Sequence, residues 1–182
     1  AFAMLQMEYE QGVRKIIVTP HFRREMFETS PEIVKKHFLV LRRLAEKIGP
    51  DLKVFLGCEF HANVEMLEYL HADRVYSMAG SRYVLTEFSA STEEKYVSDR
   101  IYELLSGGYR PIIAHIERYK CMKDIELVEY LVNKGAYMQV NADSVIGKNG
   151  HGVKKYCGKL LEDELVQFIG SDCHGSKRRV TR

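Results

Sequence analysis

The sequence predicts an α/β protein in which short parallel strands form a distorted β/α barrel. Six short apolar segments alternate with stretches of helical periodicity along the 182-residue chain. The segments, each with the polar residues that follow it, cover residues 16–21, 54–61, 83–88, 111–118, 137–143 and 168–174. Each apolar run is followed at once by His, Glu, Asp or Asn. Because such alternation produces parallel strands joined by right-handed crossovers, the six strand ends are expected to share one rim.

Capping and turn residues define the predicted helices between these strands. The first helix is predicted over residues 1–12 and closes at Gly12. Ser30 as N-cap and Pro31 at the first helical position begin the second helix, which runs to about Lys47. Further helices are predicted over residues 63–71, 93–108, 126–135 and 153–165, and residues 74–82 are predicted as a loop.

The strands are continuously apolar, which indicates burial on both faces and therefore a parallel sheet. Residues 15–20 and 52–60 are each predicted as one uninterrupted strand. A closed barrel and an open doubly wound sheet both satisfy this pattern. Because an open sheet gathers its site at one switch point and nearly every strand here ends in polar residues, we favour a TIM-like barrel. At this length a single domain over residues 1–182 is expected.

Composition excludes several classes of partner. The chain has 27 basic and 25 acidic residues, a net charge of +2, so nucleic acid is not an expected partner. No apolar stretch approaches the roughly 20 residues that span a bilayer, so membrane insertion is not expected. The four cysteines form no CxxC pair, and we expect reduced thiols in a cytoplasmic protein.

The residues at the strand ends are typical of a metal site. The candidates are His21, Glu59, His61, Glu87, His115, Glu117, Asp172 and His174. Mixed imidazole and carboxylate donors suit Mn²⁺, Zn²⁺ or Fe. A carboxylate can bridge two ions, and two ions together can clamp a phosphoryl group and activate water.

Taken singly, most of these residues have a simpler interpretation. His21 alone could be a loop residue, and Glu59 and Glu87 could cap the helices that follow them. His61 can face either the site or solvent. Asp172 with His174 is the strongest pair, because a DxH sequence at a strand end places two donors on one rim. Asn141, by contrast, is expected to form barrel wall and rim.

Arginines near these candidates suggest a phosphate monoester as substrate. Arg118 follows His115, and an Arg binds phosphate bidentately. Arg178 is expected to belong to a basic, solvated C-terminal tail. Cys173 and Arg179 have the C-x5-R spacing of cysteine-dependent phosphatases, but the sequence leaves no room for the helix that such a site requires.

Taken together, six segments resemble the PHP (polymerase and histidinol phosphatase) superfamily. The segments are IIVTPHFRREMFETSPE, GCEFH, VLTEF, AHIERY, VNADSVIG and GSDCH. More closely, they are similar to the bacterial PHP-type tyrosine phosphatases of capsule and exopolysaccharide loci, the CpsB/CapC/YwqE-like family. The resemblance covers essentially the whole chain and implies the PHP fold, a distorted β/α barrel.

The resemblance also implies a divalent metal cluster of two or three ions, most simply Mn²⁺, with Fe or Zn as alternatives. It implies that Glu59 bridges two ions, that Glu87 and His115 complete the second, that Asp172 binds the first, and that His21 and His174 bind the third. Arg118 and Arg179 match the phosphate-contacting arginines. A metal-bound hydroxide, assisted by Glu59 and Arg118, is expected to attack phosphorus.

One departure from the family pattern concerns the start of the chain. The family opens with a strand carrying an HxH pair and then an Asp in a DDGA-like loop, and neither is present. Because Ala1 falls inside a predicted helix, we expect this first strand to precede it in the native protein. A truncated homologue with a weakened first ion site, acting as a non-catalytic scaffold, is the alternative.

The resemblance implies a protein-tyrosine phosphatase that acts on a bacterial tyrosine kinase controlling polysaccharide synthesis. The alternative enzyme is a small-molecule phosphatase of the histidinol-phosphate type. That branch usually has His where Glu87 stands, so Glu87 and Arg118 favour the tyrosine phosphatase. The oligomeric state is left open.

Overall fold

The computed structural model describes residues 1–175, in which one or two short strands precede most of the helices. The strands in that part are β1 (Lys15–Val18), β2 (His21–Phe22), β3 (Lys53–Leu56), β4 (Glu59–His61), β5 (Tyr83–Glu87), β6 (Arg110–Ile113), β7 (Tyr137–Asn141) and β8 (Phe168–Gly170). The α-helices are α1 (Phe2–Glu10), α2 (Pro31–Ile48), α3 (Met66–His71), α4 (Glu94–Ser106), α5 (Ile125–Asn133), α6 (Ala142–Val145) and α7 (His151–Glu162).

All strand pairs are parallel, and the sheet follows the order of the chain. Six strands pair in the order β2-β4-β5-β6-β7-β8, and β1 pairs with β3. The parallel sheet is curled into a half-barrel. The predicted α/β fold with parallel strands is therefore confirmed, and the carboxyl ends of the strands lie along one rim.

Two predicted strands are interrupted, so the prediction of continuous strands over 15–20 and 52–60 was wrong. The first breaks around Pro20, which has no N–H to donate to a sheet. The second breaks at Gly57, where a Cβ would lie 2.9 Å from Met78 Sδ. Pairing continues across the break, because the Gly57 N–H donates to the Val18 carbonyl at 2.9 Å and the Glu59 N–H to the Pro20 carbonyl at 3.1 Å. The paired strands therefore bend together.

The helix boundaries agree with the capping residues. Helix α1 ends at Glu10, and Gly12 adopts a φ of 93°, which favours glycine. Ser30 occupies the N-cap position of α2, with Pro31 as its first residue, although its side chain makes no capping hydrogen bond. The predicted loop over 74–82 contains a short 3₁₀ turn, Met78–Gly80.

Two hydrophobic cores support the sheet. The larger lies between the six-stranded sheet and the helices, with Phe60, Leu104, Ile113 and Met138 among its buried residues. The smaller includes Leu5, Ala45, Leu52 and Val54, where α1 packs on α2 and α2 packs on β3. Within the described residues, no helix is long and apolar enough to cross a membrane.

Replacing Leu104 by Ala is expected to lower the free energy of unfolding by about 2–5 kcal/mol, because a fully buried leucine leaves a cavity. Urea unfolding followed by circular dichroism measures the change. Tyr102→Ala on the same helix is the control, since Tyr102 is 72% exposed and its removal is expected to cost less than about 0.5 kcal/mol. Equal losses in the two variants would contradict this placement of α4.

Candidate metal centre

The parallel register places polar residues of neighbouring strands side by side at the rim. His21 of β2 pairs with Glu59 of β4, and His61 of β4 pairs with Glu87 of β5. Strand β6 ends at Ile113, and His115 follows two residues later at the same edge. These positions agree with the prediction that the strand ends share one rim.

Glu59 lies at the centre of the group and is buried. Its Oε1 atom is 2.9 Å from His115 Nε2, and its Oε2 atom is 3.5 Å from His21 Nδ1. Each carboxylate oxygen therefore faces a different imidazole. A carboxylate that presents its two oxygens in two directions has the geometry needed to bridge two ions.

Glu87 faces the same two imidazoles. Its Oε1 atom is 3.5 Å from His115 Nε2, and its Oε2 atom is 3.7 Å from His21 Nδ1. Donor atoms of His21, Glu59 and Glu87 all lie within 4.8 Å of one another. Two carboxylates and two imidazoles thus converge, which is a mixed donor set that fits a divalent transition metal.

The electrostatics of the group favour a positive charge. Burial acts to lower the pKa of His115, but hydrogen bonds with Glu59 and Glu87 outweigh it and raise that pKa to about 9. Burial acts to raise the pKa of Glu87, but His115 outweighs it and lowers that pKa. The two carboxylates therefore stabilise a positive charge between them, and they would stabilise a bound divalent ion in the same way.

The backbone of His115 adopts an unusual conformation. Its φ of 35° and ψ of 54° place it in the left-handed region, which is uncommon for a residue other than glycine. Its N–H donates to Gln139 Oε1 at 2.6 Å, and its Nδ1 atom lies 3.1 Å from the hydroxyl of Tyr119. The sharp turn after β6 directs Nε2 towards Glu59.

Asp172 and His174 extend the group on the far side of His21. His174 Nε2 is 3.1 Å from His21 Nε2, and His174 Nδ1 is 2.9 Å from the carbonyl oxygen of Asp172. Asp172 Oδ2 accepts from Arg118 Nη2 at 2.5 Å and from Asn141 Nδ2 at 2.8 Å. The structure therefore brings all six residues that the resemblance assigned to metal binding into one continuous cluster.

Other candidates lie outside this cluster. His61 is half-buried with Nε2 3.2 Å from Ser89 Oγ, and burial, together with the charge of Arg23, lowers its pKa. Glu117 is buried elsewhere, where its Oε1 atom accepts from the Ser144 hydroxyl at 2.7 Å. Glu117 therefore contacts helix α6, and the structure does not place it with the metal candidates.

The rival cysteine-dependent site was predicted from Cys173 and Arg179, and of these two residues the structure describes Cys173. Arg178 and Arg179 lie outside the described residues. The thiol of Cys173 donates to the carbonyl of Gly175 at 3.5 Å.

Sequence reasoning missed the contact of Asn141 with Asp172, since it assigned Asn141 to the barrel wall. It also gave no role to Gln139 or Tyr119. The alternation along β7 carried a usable signal, because residues 139 and 141 of one strand point to the same face. The amides of Gln139 and Asn141, neighbours on one face of β7 near the rim, therefore indicate a polar network there.

A curled parallel sheet with imidazole and carboxylate donors at its carboxyl ends defines a metal-dependent β/α-barrel class. The model of the family described as "Capsular polysaccharide synthesis, CpsB/CapC" matches residues 1–182. The chain belongs to this CpsB/CapC family, and the resemblance found in the sequence is thereby confirmed.

Similar relatives are named as tyrosine phosphatases. The tyrosine-protein phosphatase CpsB of Streptococcus pneumoniae is 35% identical over 183 residues, which is 97% of this chain and 75% of the relative. The putative tyrosine-protein phosphatase CapC of Staphylococcus aureus is 31% identical over 98% of this chain and 71% of its own length. The tyrosine-protein phosphatase YwqE of Bacillus subtilis is 31% identical over 97% and 70%.

A solved structure supports the same fold. It comes from crystal structures of YwqE from Bacillus subtilis and CpsB from Streptococcus pneumoniae, described as metal-dependent tyrosine phosphatases. The match has a TM-score of 0.88 at 31% identity and covers 99% of this chain and 73% of the solved chain.

Replacing Glu59 by Gln is expected to weaken Mn²⁺ binding by at least about tenfold, because the change removes the central charge between the two imidazoles. Isothermal titration calorimetry with Mn²⁺ measures the affinity. Glu68→Gln, on the exposed face of α3, is the matched control and is expected to bind as the parent does. Unchanged affinity in Glu59→Gln would contradict a metal site here.

Stability of the chelator-treated protein is expected to fall as pH rises through about 9. The pKa of His115 is raised from 6.5 to about 9, so its contribution is fully present below about pH 6.5 and is lost as the folded protein deprotonates. Urea unfolding between pH 6 and pH 10 measures this dependence. His115→Gln is expected to flatten it, whereas exposed His151→Gln is not. The same slope in the parent and His115→Gln would reject the assignment.

Proposed function

We propose that this chain hydrolyses phosphotyrosine in proteins by a metal-dependent reaction. The observation that carries the proposal is the position of Glu59, whose two oxygens face two different imidazoles inside a cluster of six candidate ligands. Membership of the CpsB/CapC family and the names of its relatives support the reaction class.

We propose that the cluster holds two or three divalent ions, with Mn²⁺ as the expected metal. The proposed ligands are His21, Glu59, Glu87, His115, Asp172 and His174. When bound, such ions activate water and stabilise negative charge on a phosphoryl group. The mixed donors and the affinity of the cluster for positive charge support this assignment.

The chain's own residues would orient the phosphate. Arg118 contacts Asp172, and 38% of its side chain remains exposed at the rim, where a guanidinium can take a phosphate oxygen pair. Arg179 stays a prediction, because it lies beyond the described part of the chain. A phenol, with a pKa of about 10, leaves readily, so the reaction requires little help from a general acid.

A small-molecule phosphatase of the histidinol-phosphate type is the less favoured alternative. Glu87, rather than the His expected in that branch, stands beside Glu59 and His115. The relatives named as tyrosine phosphatases include proteins from three genera of bacteria. The non-catalytic scaffold is also less favoured, because the six candidate ligands remain grouped.

The proposed substrate is an autophosphorylated bacterial tyrosine kinase of a capsule or exopolysaccharide system. The family's description as one of capsular polysaccharide synthesis supports that setting. We further propose a cytoplasmic location, because Cys58, Cys121 and Cys157 are free thiols. The single domain over 1–182 remains a prediction.

Activity of the Mn²⁺-loaded protein on a phosphotyrosine peptide is expected to require Glu59 and not Cys173. Glu59→Ala is expected to lower kcat by about 100-fold or more, because it removes the central carboxylate. Cys173→Ser is the control and is expected to stay within about twofold, since Cys173 is neither a proposed metal ligand nor a proposed phosphate contact. Phosphate release is the measurement. Loss of activity in Cys173→Ser with retention in Glu59→Ala would reject the metal mechanism.

A further inference from the structure

Four polar groups form a continuous hydrogen-bonded chain behind the metal candidates, which we call the amide relay. It consists of the backbone N–H of His115, the side-chain amides of Gln139 and Asn141, and the carboxylate of Asp172. The two amides lie on β7, which pairs with β6 on one side and with β8 on the other. The relay therefore connects His115, which follows β6, to Asp172, which follows β8.

Each bond in the relay points the same way. The His115 N–H donates to Gln139 Oε1 at 2.6 Å, and Gln139 Nε2 donates to Asn141 Oδ1 at 3.0 Å. Asn141 Nδ2 then donates to Asp172 Oδ2 at 2.8 Å. Each amide uses its oxygen as an acceptor and its nitrogen as a donor, so flipping either amide would break two contacts. The relay is therefore directional and ends on an anion.

The environment makes the relay costly to disturb. Gln139 and Asn141 are buried, with 7% and 3% of their surfaces exposed. Hydrogen bonds in a low-dielectric interior polarise one another, and a buried polar group that loses its partner retains the full cost of desolvation. The last bond is to a carboxylate, which strengthens it further. The side chain of Asp172 is thus held in one orientation.

At its other end the relay holds an uncommon backbone conformation. His115 is in the left-handed region, which a residue with a Cβ adopts at a cost. The short bond to Gln139 satisfies the buried N–H in that conformation. This conformation places His115 Nε2 beside Glu59.

Gly170 provides the space that the relay needs. A Cβ on Gly170 would lie 2.6 Å from Gln139 Nε2 and 3.2 Å from Gln139 Cδ. Gly170 pairs with Asn141 across β7 and β8. A methyl group there would push the Gln139 amide out of the relay without removing any hydrogen-bonding group.

We infer that Gln139 and Asn141 are positioning residues that fix His115 and Asp172 relative to each other for metal binding. The inference rests on the proposed function, since it takes both residues as metal ligands. Neither amide needs to touch the metal or the substrate. Outer-shell partners of this kind typically change metal affinity by about 10- to 100-fold when they are removed.

The test measures Mn²⁺ affinity by isothermal titration calorimetry in Asn141→Leu and Gly170→Ala, each compared with the parent. Both are expected to weaken binding by about 10- to 100-fold. Gln167→Leu is the matched control, because Gln167 Oε1 also accepts an N–H of β7, from Met138 at 2.9 Å, and yet lies outside the relay. Its Mn²⁺ affinity is expected to stay within about twofold of the parent.

Two further measurements separate positioning from loss of fold. Urea unfolding in chelator reports the stability of each variant, and the electron paramagnetic resonance spectrum of bound Mn²⁺ reports the symmetry of its ligands. The spectrum is expected to change in Asn141→Leu and in Gly170→Ala, but not in Gln167→Leu. The loss of binding free energy in the double variant Asn141→Leu/Gly170→Ala is expected to be smaller than the sum of the losses in the two single variants, because both substitutions act through one relay.

The outcomes distinguish the two proposals. If the parent binds Mn²⁺ and both relay variants bind it with unchanged affinity and spectrum, the positioning role is overturned and the proposed function stands. Affinity losses in the relay variants that Gln167→Leu matches would overturn the positioning role in the same way. If the parent binds no Mn²⁺, both proposals are overturned.

Discussion

The site depends on one buried charge, the carboxylate of Glu59. A buried carboxylate is costly unless charged or hydrogen-bonding groups compensate it, and here the imidazoles of His21 and His115 face its two oxygens. The three residues come from strands β2 and β4 and from the turn after β6. Their convergence therefore requires that the parallel sheet be ordered and curled as it is. Glu87 adds a second carboxylate, so the group attracts cations more strongly than one pair would.

Two interrupted strands lead into the strand segments that carry His21 and Glu59. Two neighbouring strands are interrupted side by side, one around Pro20 and the other at Gly57, and backbone hydrogen bonds continue across the break. The segments beyond the break, β2 and β4, carry His21 and Glu59 in register. Behind them the core of Phe60, Ile113 and Met138 holds the sheet against its helices.

Sequence patterns predicted the secondary-structure elements better than they predicted the contacts between side chains. Apolar runs located the strands, and Gly12 and Pro31 marked helix ends that the structure retains. The same runs were read as continuous strands and did not reveal the breaks at Pro20 and Gly57. The close approach of Met78 to Gly57 comes from another element, which a local pattern does not show. Glu117 and His115 lie two residues apart after one strand, yet only His115 reaches the cluster. A strand-end pattern cannot separate them, since the left-handed turn at His115 decides the direction of each side chain.

The sequence by itself determined the class of the protein: alternating strands and helices with imidazole and carboxylate donors at the strand ends, in a pattern that the CpsB/CapC family shares. Periodicity and residue type are local properties, so they can be recognised along the chain. Tertiary structure decided which donors meet, how Glu59 divides its oxygens between two imidazoles, and how Gln139 and Asn141 join His115 to Asp172. Those relations join residues that are up to 153 positions apart, from His21 to His174, and they depend on sheet curvature and on backbone turns that no local pattern specifies.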